Sequence, residues 1–151
     1  MMQKPATTVL KTRSEISGDL IRAYRETDYR AGAGAAAITL RIEARSEALL
    51  RLYDASGHRC ALFVTAYNPY SETRSPEANL AAHARLRAEL TRLTQYVFEG
   101  VGAHPSGRWE EKSFLALGIS REAAIMLGKQ FGQNAVVWAG DDLIPRLILL
   151  R

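Results

Sequence analysis

The 151-residue chain holds a single cysteine, Cys60, so no disulfide can form within it and its fold must rest on a packed core. Cys60 sits in the apolar run CALFV (Cys60 to Val64). A small buried hydrophobe is the simpler role there, because a catalytic thiol needs a charged, half-exposed setting. Apolar runs are short: none approaches the ~20 residues of a membrane span. The N-terminal MMQKPATTVLKTR lacks the apolar stretch of a secretion signal. A cytoplasmic protein is the expectation. Histidine is scarce too. His58, His83 and His104 have no metal-ligand spacing, and without a second cysteine no zinc site is expected. The GAG of Gly32 to Gly34 lacks the rest of any phosphate-loop fingerprint, and there is no G-x-S-x-G elbow. No cofactor is expected.

The chain is otherwise of ordinary globular composition, 47% hydrophobic and 24% charged, which suits one domain with its own core. Net charge is +4 and the pI about 9.5, with arginine far outnumbering lysine. The arginines are scattered among acids and form no run. That pattern describes a solvated surface better than a nucleic-acid face, so a nucleic-acid partner is the weaker expectation. Oligomeric state is left open.

Residues 1–13 are polar and aperiodic and are expected to form a flexible tail ahead of a single domain over 14–151. Ser17 can cap a helix carrying Leu20, Tyr24 and Thr27, followed by a connector at RAGAG, Arg30 to Gly34. A half-buried strand follows with Ile38, Leu40 and Ile42 on one face. Ser46 opens a short helix that Gly57 closes. Cys60 to Tyr67 is apolar on both faces and predicts an interior strand. Ser75 and Pro76 begin a long helix with Leu86, Leu90 and Leu93 on one stripe. A strand near Tyr96 to Glu99, a loop over GVGAHPSGRW, a buried strand over Ser113 to Ile119 and a helix from Ser120 to the stop at Gly132 come next. Ala135–Ala139 and Arg146–Leu150 read as a hairpin. The sum is an α/β sandwich: a mixed sheet with helices packed on it.

Three polar clusters interrupt this pattern. The turn TAYNPYS, Thr65 to Ser71, is crowded with side-chain oxygens just after a buried strand. At 100° per residue Asn79 falls on the apolar stripe of the long helix, beneath that turn. A buried amide must find partners, so a hydrogen-bonded knot of Asn79 with the turn (Thr65, Asn68, Ser71) is expected. In WEEKSFLALGI, period two puts Trp109, Glu111, Ser113, Leu115 and Leu117 on one face. Glu111 thus points inward, as a candidate base or ligand anchor or as a carboxylate tied to backbone N–H groups. In FGQNAVVW, Gln133 and Asn134 either bind a ligand or tie a short loop. Tyr24, Thr27 and Tyr29 form a patch that packs at the core edge with tethered hydroxyls or lines a pocket.

AYRETDY (Ala23–Tyr29), TAYNPYS, Asn79, W-x-E-x-S (Trp109–Ser113) and FGQNAVVW (Phe131–Trp138) together resemble a family of small bacterial proteins, domain of unknown function 3293. The resemblance extends over nearly all of the chain after the tail. It implies no reaction, cofactor or substrate; it marks the polar positions singled out above as signature positions. Two expectations follow. In one, Asn68, Ser71 and Asn79, with Thr65, Ser113, Gln133 and Asn134, orient a small polar, nucleotide-like ligand, with Glu111 as base or anchor and Trp109 as a stacking wall. In the other, a non-catalytic protein- or nucleic-acid-interaction module, the same residues are internal struts. Whether the protein is an enzyme is open. Glu111 can meet the turn only if the two strands that carry them run antiparallel.

Overall fold

The computed structural model describes residues 15–107 and 109–151; the tail expected over residues 1–13 lies outside them. Four α-helices are present among the described residues: α1 (Gly18–Glu26), α2 (Glu47–Ser56), α3 (Pro76–Leu93) and α4 (Arg121–Gln130). Each opens on a serine, Ser17, Ser46, Ser75 and Ser120, whose hydroxyl accepts the N–H of the third helical residue. Such a cap satisfies one orphan donor and contributes ~1 kcal/mol. Gly57 and Gly132 stop α2 and α4 at φ of 81° and 68°, where a side chain is disfavoured.

Seven strands form one sheet: β1 (Asp28–Ala31), β2 (Ile38–Leu40), β3 (Ala61–Val64), β4 (Val97–Ala103), β5 (Glu110–Leu117), β6 (Ala135–Ala139) and β7 (Arg146–Leu149). Their order is β2-β1-β4-β5-β3-β6-β7. The single α/β domain, the helices packed on the sheet and the C-terminal hairpin are as expected. The mixed sheet is not: every adjacent pair is antiparallel. The reason is topological. Helix α3 links β3 to β4 and α4 links β5 to β6, and both linked pairs run parallel. Each crossover skips one position, however, and an antiparallel strand fills the gap, β5 in the first and β3 in the second. The succession β3-α3-β4-β5-α4-β6 is thus a split βαβ, ferredoxin-like core, extended by β1–β2 beyond β4 and by β7 beyond β6.

Alternation along the strands divides the core. One face presents Leu62, Val64, Phe114, Ala116 and Val136 to Leu86, Leu90 and Leu127 of α3 and α4. The other presents Phe63, Leu115, Leu117, Val137 and Ala139 to Tyr29, Leu40, and Leu49 and Tyr53 of α2. This second face is concave. The sheet curls until Glu43 N–H donates to Pro145 O (2.7 Å) and Ser46 N–H to Leu143 O (2.9 Å), joining the segment after β2 to the segment before β7. The Tyr53 hydroxyl donates to the carbonyls of Ala139 and Gly140, which places α2 at the end where β6 finishes. The opposite end, where β3 finishes and β5 begins, holds the polar clusters.

Some expected elements differ. Arg30 and Ala31 belong to β1, and β4 runs on through Gly100 and Gly102, which read as loop. Glycine stands at 100 because β1 crosses closely: a Cβ there would lie 2.6 Å from Arg30 O and 3.1 Å from the Phe63 ring. The interior strand is Ala61–Val64, shorter than Cys60–Tyr67, since Thr65 already begins the turn. Leu93, expected inward, is exposed at the last helical position. His83, expected on a polar flank, is buried and stacks on Phe114 with ring centroids 4.2 Å apart. No helix among the described residues is long and apolar enough to cross a membrane.

Candidate functional site

The TAYNPYS turn is a strained piece of backbone. Asn68, Tyr70 and Ser71 have φ of 46°, 58° and 63°, three non-glycine residues in left-handed conformations within four positions. Each such residue costs ~1–2 kcal/mol, so the surroundings must over-determine the shape. They do. The Thr65 hydroxyl donates to Lys112 O (2.6 Å) and accepts from Tyr67 N–H (3.0 Å), which fixes the turn to the start of β5. Asn79 Oδ1 accepts the Asn68 N–H (2.9 Å), and Asn79 Nδ2 donates to Asn68 Oδ1 (3.0 Å), which also accepts from Arg74 N–H (3.0 Å). Tyr70 N–H donates to Gly132 O (2.7 Å). A Cβ at Gly132 would lie 2.9 Å from Pro69 Cβ, so the glycine lets the two loops touch. The hydrogen-bonded knot expected from the position of Asn79 is present.

Through Asn68 the knot reaches Glu111. Asn68 Nδ2 donates to Glu111 Oε2 at 3.0 Å. The contact exists because β3 and β5 are antiparallel, with Val64 opposite Phe114, so that the end of one strand lies beside the start of the other. Glu111 faces inward as the pleat required, and its pKa is raised by burial, with the Asn68 hydrogen bond opposing. Its second carboxylate oxygen has no hydrogen-bond partner among the described residues. The Ser113 hydroxyl donates to Glu111 O (3.0 Å), closing the local backbone.

These groups border a cavity of about 290 Å³ at the open end of the curled sheet. Tyr29, Phe63 and Val137 line it from three strands, and Tyr29 meets Phe63 edge to face at 5.2 Å. Tyr24 of α1, Ser71 and Asn134 also border it. Asn134 Nδ2 donates to Ser71 Oγ (2.9 Å) and Tyr24 Oη (3.3 Å), while its Oδ1 accepts from Arg151 (2.9 Å). Gln133 Nε2 donates to Tyr67 O (3.2 Å) and Phe131 O (3.3 Å).

Of the residues singled out in the sequence, Thr65, Asn68, Ser71, Trp109, Glu111, Ser113, Gln133 and Asn134 all line the cavity. Asn79 does not: it lies behind the turn with its amide committed to Asn68. Tyr24 and Tyr29 do both things weighed for them. They line the cavity, and the Tyr29 hydroxyl is tethered to Tyr24 O (2.6 Å). Phe63, Val137 and Leu147 line the cavity as well, and the sequence places them in strands without marking them as site residues. Nothing in their alternation separates a wall that faces a cavity from one that faces another side chain. Among the described residues no cluster of three His, Cys, Asp or Glu could hold a metal ion.

Fold and site together define an α/β domain in which a split βαβ core carries a polar cavity at one end of a curled antiparallel sheet. The family described as "Protein of unknown function (DUF3293)" matches residues 64–136, and the chain resembles it over that stretch. The match covers just under half of the chain, a shorter span than the resemblance first suggested. It contains TAYNPYS, Asn79, W-x-E-x-S and most of FGQNAVVW, while AYRETDY lies outside. It runs from the last residue of β3 to the second residue of β6 and so spans α3, β4, β5 and α4 of the split βαβ core. No curated protein and no solved structure is significantly similar to the chain.

Proposed function

We propose that the cavity binds a small polar ligand and that Glu111 is its anchor. The observation that carries this is convergence. Three segments distant in sequence, the 65–73 turn, the start of β5 and the α4–β6 loop, place polar groups around one void. A structural carboxylate has both oxygens engaged, whereas among the described residues only Oε2 of Glu111 is bonded, and that to a neutral amide. The volume sits near the lower bound of small-molecule pockets. Asn68 and Asn79 hold the carboxylate in place, as struts behind the site. Being inward and raised in pKa by burial, the Glu111 carboxyl is also suited to take or give a proton if the ligand reacts.

The test is a thermal-shift screen of wild type and Glu111→Gln against metabolites. A ligand at 100 times its Kd stabilises by about 2.7 kcal/mol, which for a domain of this size raises Tm by about 5–10 °C. At least one compound is expected to shift wild type and to shift Glu111→Gln less. Silence across a broad panel would favour the struts alone, as in a non-catalytic interaction module.

A further inference from the structure

The hydrogen-bonding direction of several groups lining the cavity is fixed by a partner. Gln133 Nε2 lies against two backbone carbonyls, Tyr67 O and Phe131 O, which can only accept; the amide therefore turns its N–H₂ to them and leaves Oε1 without a partner among the described residues. Asn134 likewise spends its N–H₂ on Ser71 and Tyr24, whose hydroxyls also bond each other at 3.2 Å, so that one of the two keeps a proton to donate. The hydroxyls of Thr65, Ser113 and Tyr29 each donate to a backbone carbonyl, of Lys112, Glu111 and Tyr24 respectively, and keep only lone pairs for anything else. Glu111 offers a carboxylate oxygen. Among the described residues, no lysine, arginine or histidine lines the cavity. The spare capacity of these partnered groups is mostly acceptor, and the described lining residues hold one acid and no base; Tyr67 and Thr73 add a hydroxyl each and Trp109 an indole N–H.

We propose, building on the assignment of this cavity as a ligand site, that its ligand is a planar nitrogen base presenting N–H donors, free of phosphate and carboxylate. A phosphate or carboxylate placed here would meet a carboxylate and spare lone pairs, with no cation among the described lining residues to neutralise it. An amidine or an exocyclic ring amine places its N–H groups on Glu111 and Gln133 Oε1 and gains charge-assisted bonds. Flatness follows from the walls: Tyr29, Phe63 and Trp109 offer aromatic surface to a ring. Of the nucleotide-like ligands suggested by the sequence, only the base or the uncharged nucleoside fits this chemistry.

The test uses three molecules of one shape: benzamidine, benzamide and benzoate, with adenine and adenosine 5′-monophosphate as a second pair. Binding is measured by calorimetry to the full chain, wild type and Glu111→Gln, each checked by its melting curve. Benzamidine is expected to bind more tightly than benzamide, and benzoate at least tenfold more weakly than either. Adenine should likewise exceed its monophosphate. Glu111→Gln should weaken benzamidine on the order of tenfold and leave benzamide nearly unchanged. Benzoate or the monophosphate binding as tightly as its uncharged or cationic counterpart would overturn the assignment of ligand class while leaving the ligand site in place. Benzamidine binding that ignores Glu111→Gln would do the same. Silence from these probes and from the metabolite panel together would remove the site and, with it, the class.

Discussion

Replacing Asn79 by alanine tests the connection between helix α3 and the candidate site. The substitution removes two hydrogen bonds, Asn68 N–H to Oδ1 at 2.9 Å and Nδ2 to Asn68 Oδ1 at 3.0 Å. The losses are unequal. Asn68 Oδ1 still accepts from Arg74 N–H, so that side costs about 0.5–1.5 kcal/mol. The Asn68 N–H, in contrast, is left with no partner beside a buried helix face, at about 1–3 kcal/mol. Together the loss is about 2–4 kcal/mol, a fall in Tm of roughly 5–15 °C for a domain of this length. Asn68→Ala keeps its N–H bond to Asn79 but loses three side-chain bonds, with Asn79 Nδ2, Arg74 N–H and Glu111 Oε2, and adds ~1–2 kcal/mol for a left-handed alanine. A double-mutant cycle over positions 68 and 79, read by urea denaturation, should give a coupling of about 0.5–1.5 kcal/mol, because one hydrogen bond joins the two side chains. A cost below 0.5 kcal/mol for Asn79→Ala, or additivity of the two substitutions, would refute the clasp and with it the account of how Glu111 is held.

Glu111→Gln should show a pH-dependent gain in stability. The folded pKa of Glu111 is raised by burial, so as pH climbs from the ordinary glutamate value through the folded one, the native state keeps a proton that the unfolded chain has lost. Wild-type stability falls across that window and is level above it. The Gln variant escapes this loss while its side-chain oxygen still accepts from Asn68. Its denaturation midpoint should therefore exceed that of wild type at pH 7.5 and match it near pH 4; a variant less stable at pH 7.5 would contradict the burial argument. Gly132→Ala should cost about 1–3 kcal/mol, since the residue has φ of 68° and its new methyl would press Pro69 at 2.9 Å. Chemical denaturation measures this, and a neutral result would mean that the turn and the α4–β6 loop are not in contact.

What the sequence carries by itself is local. The four serine caps, the glycine stops after α2 and α4, and the inward phase of Glu111 and Asn79 depend on spacing along a few residues, and spacing is visible in a string of letters. The cavity-lining polar residues were legible for a related reason. An amide or carboxylate at a core phase violates the apolar pattern and must be answered by a partner. What only the tertiary structure decided is which strands lie side by side. Helical crossovers fit adjacent parallel strands or skipped ones equally well by length, and Gly100 and Gly102 read as loop until β1 is placed against them. The same holds for the void. Phe63, Val137 and Leu147 alternate like any core residues, and they face a cavity because the sheet curls and α2 packs at only one of its ends. Hydrophobic burial fixes which face of each strand turns inward; how far the curled sheet is filled depends on the summed shapes of elements far apart in the chain, which no local spacing records.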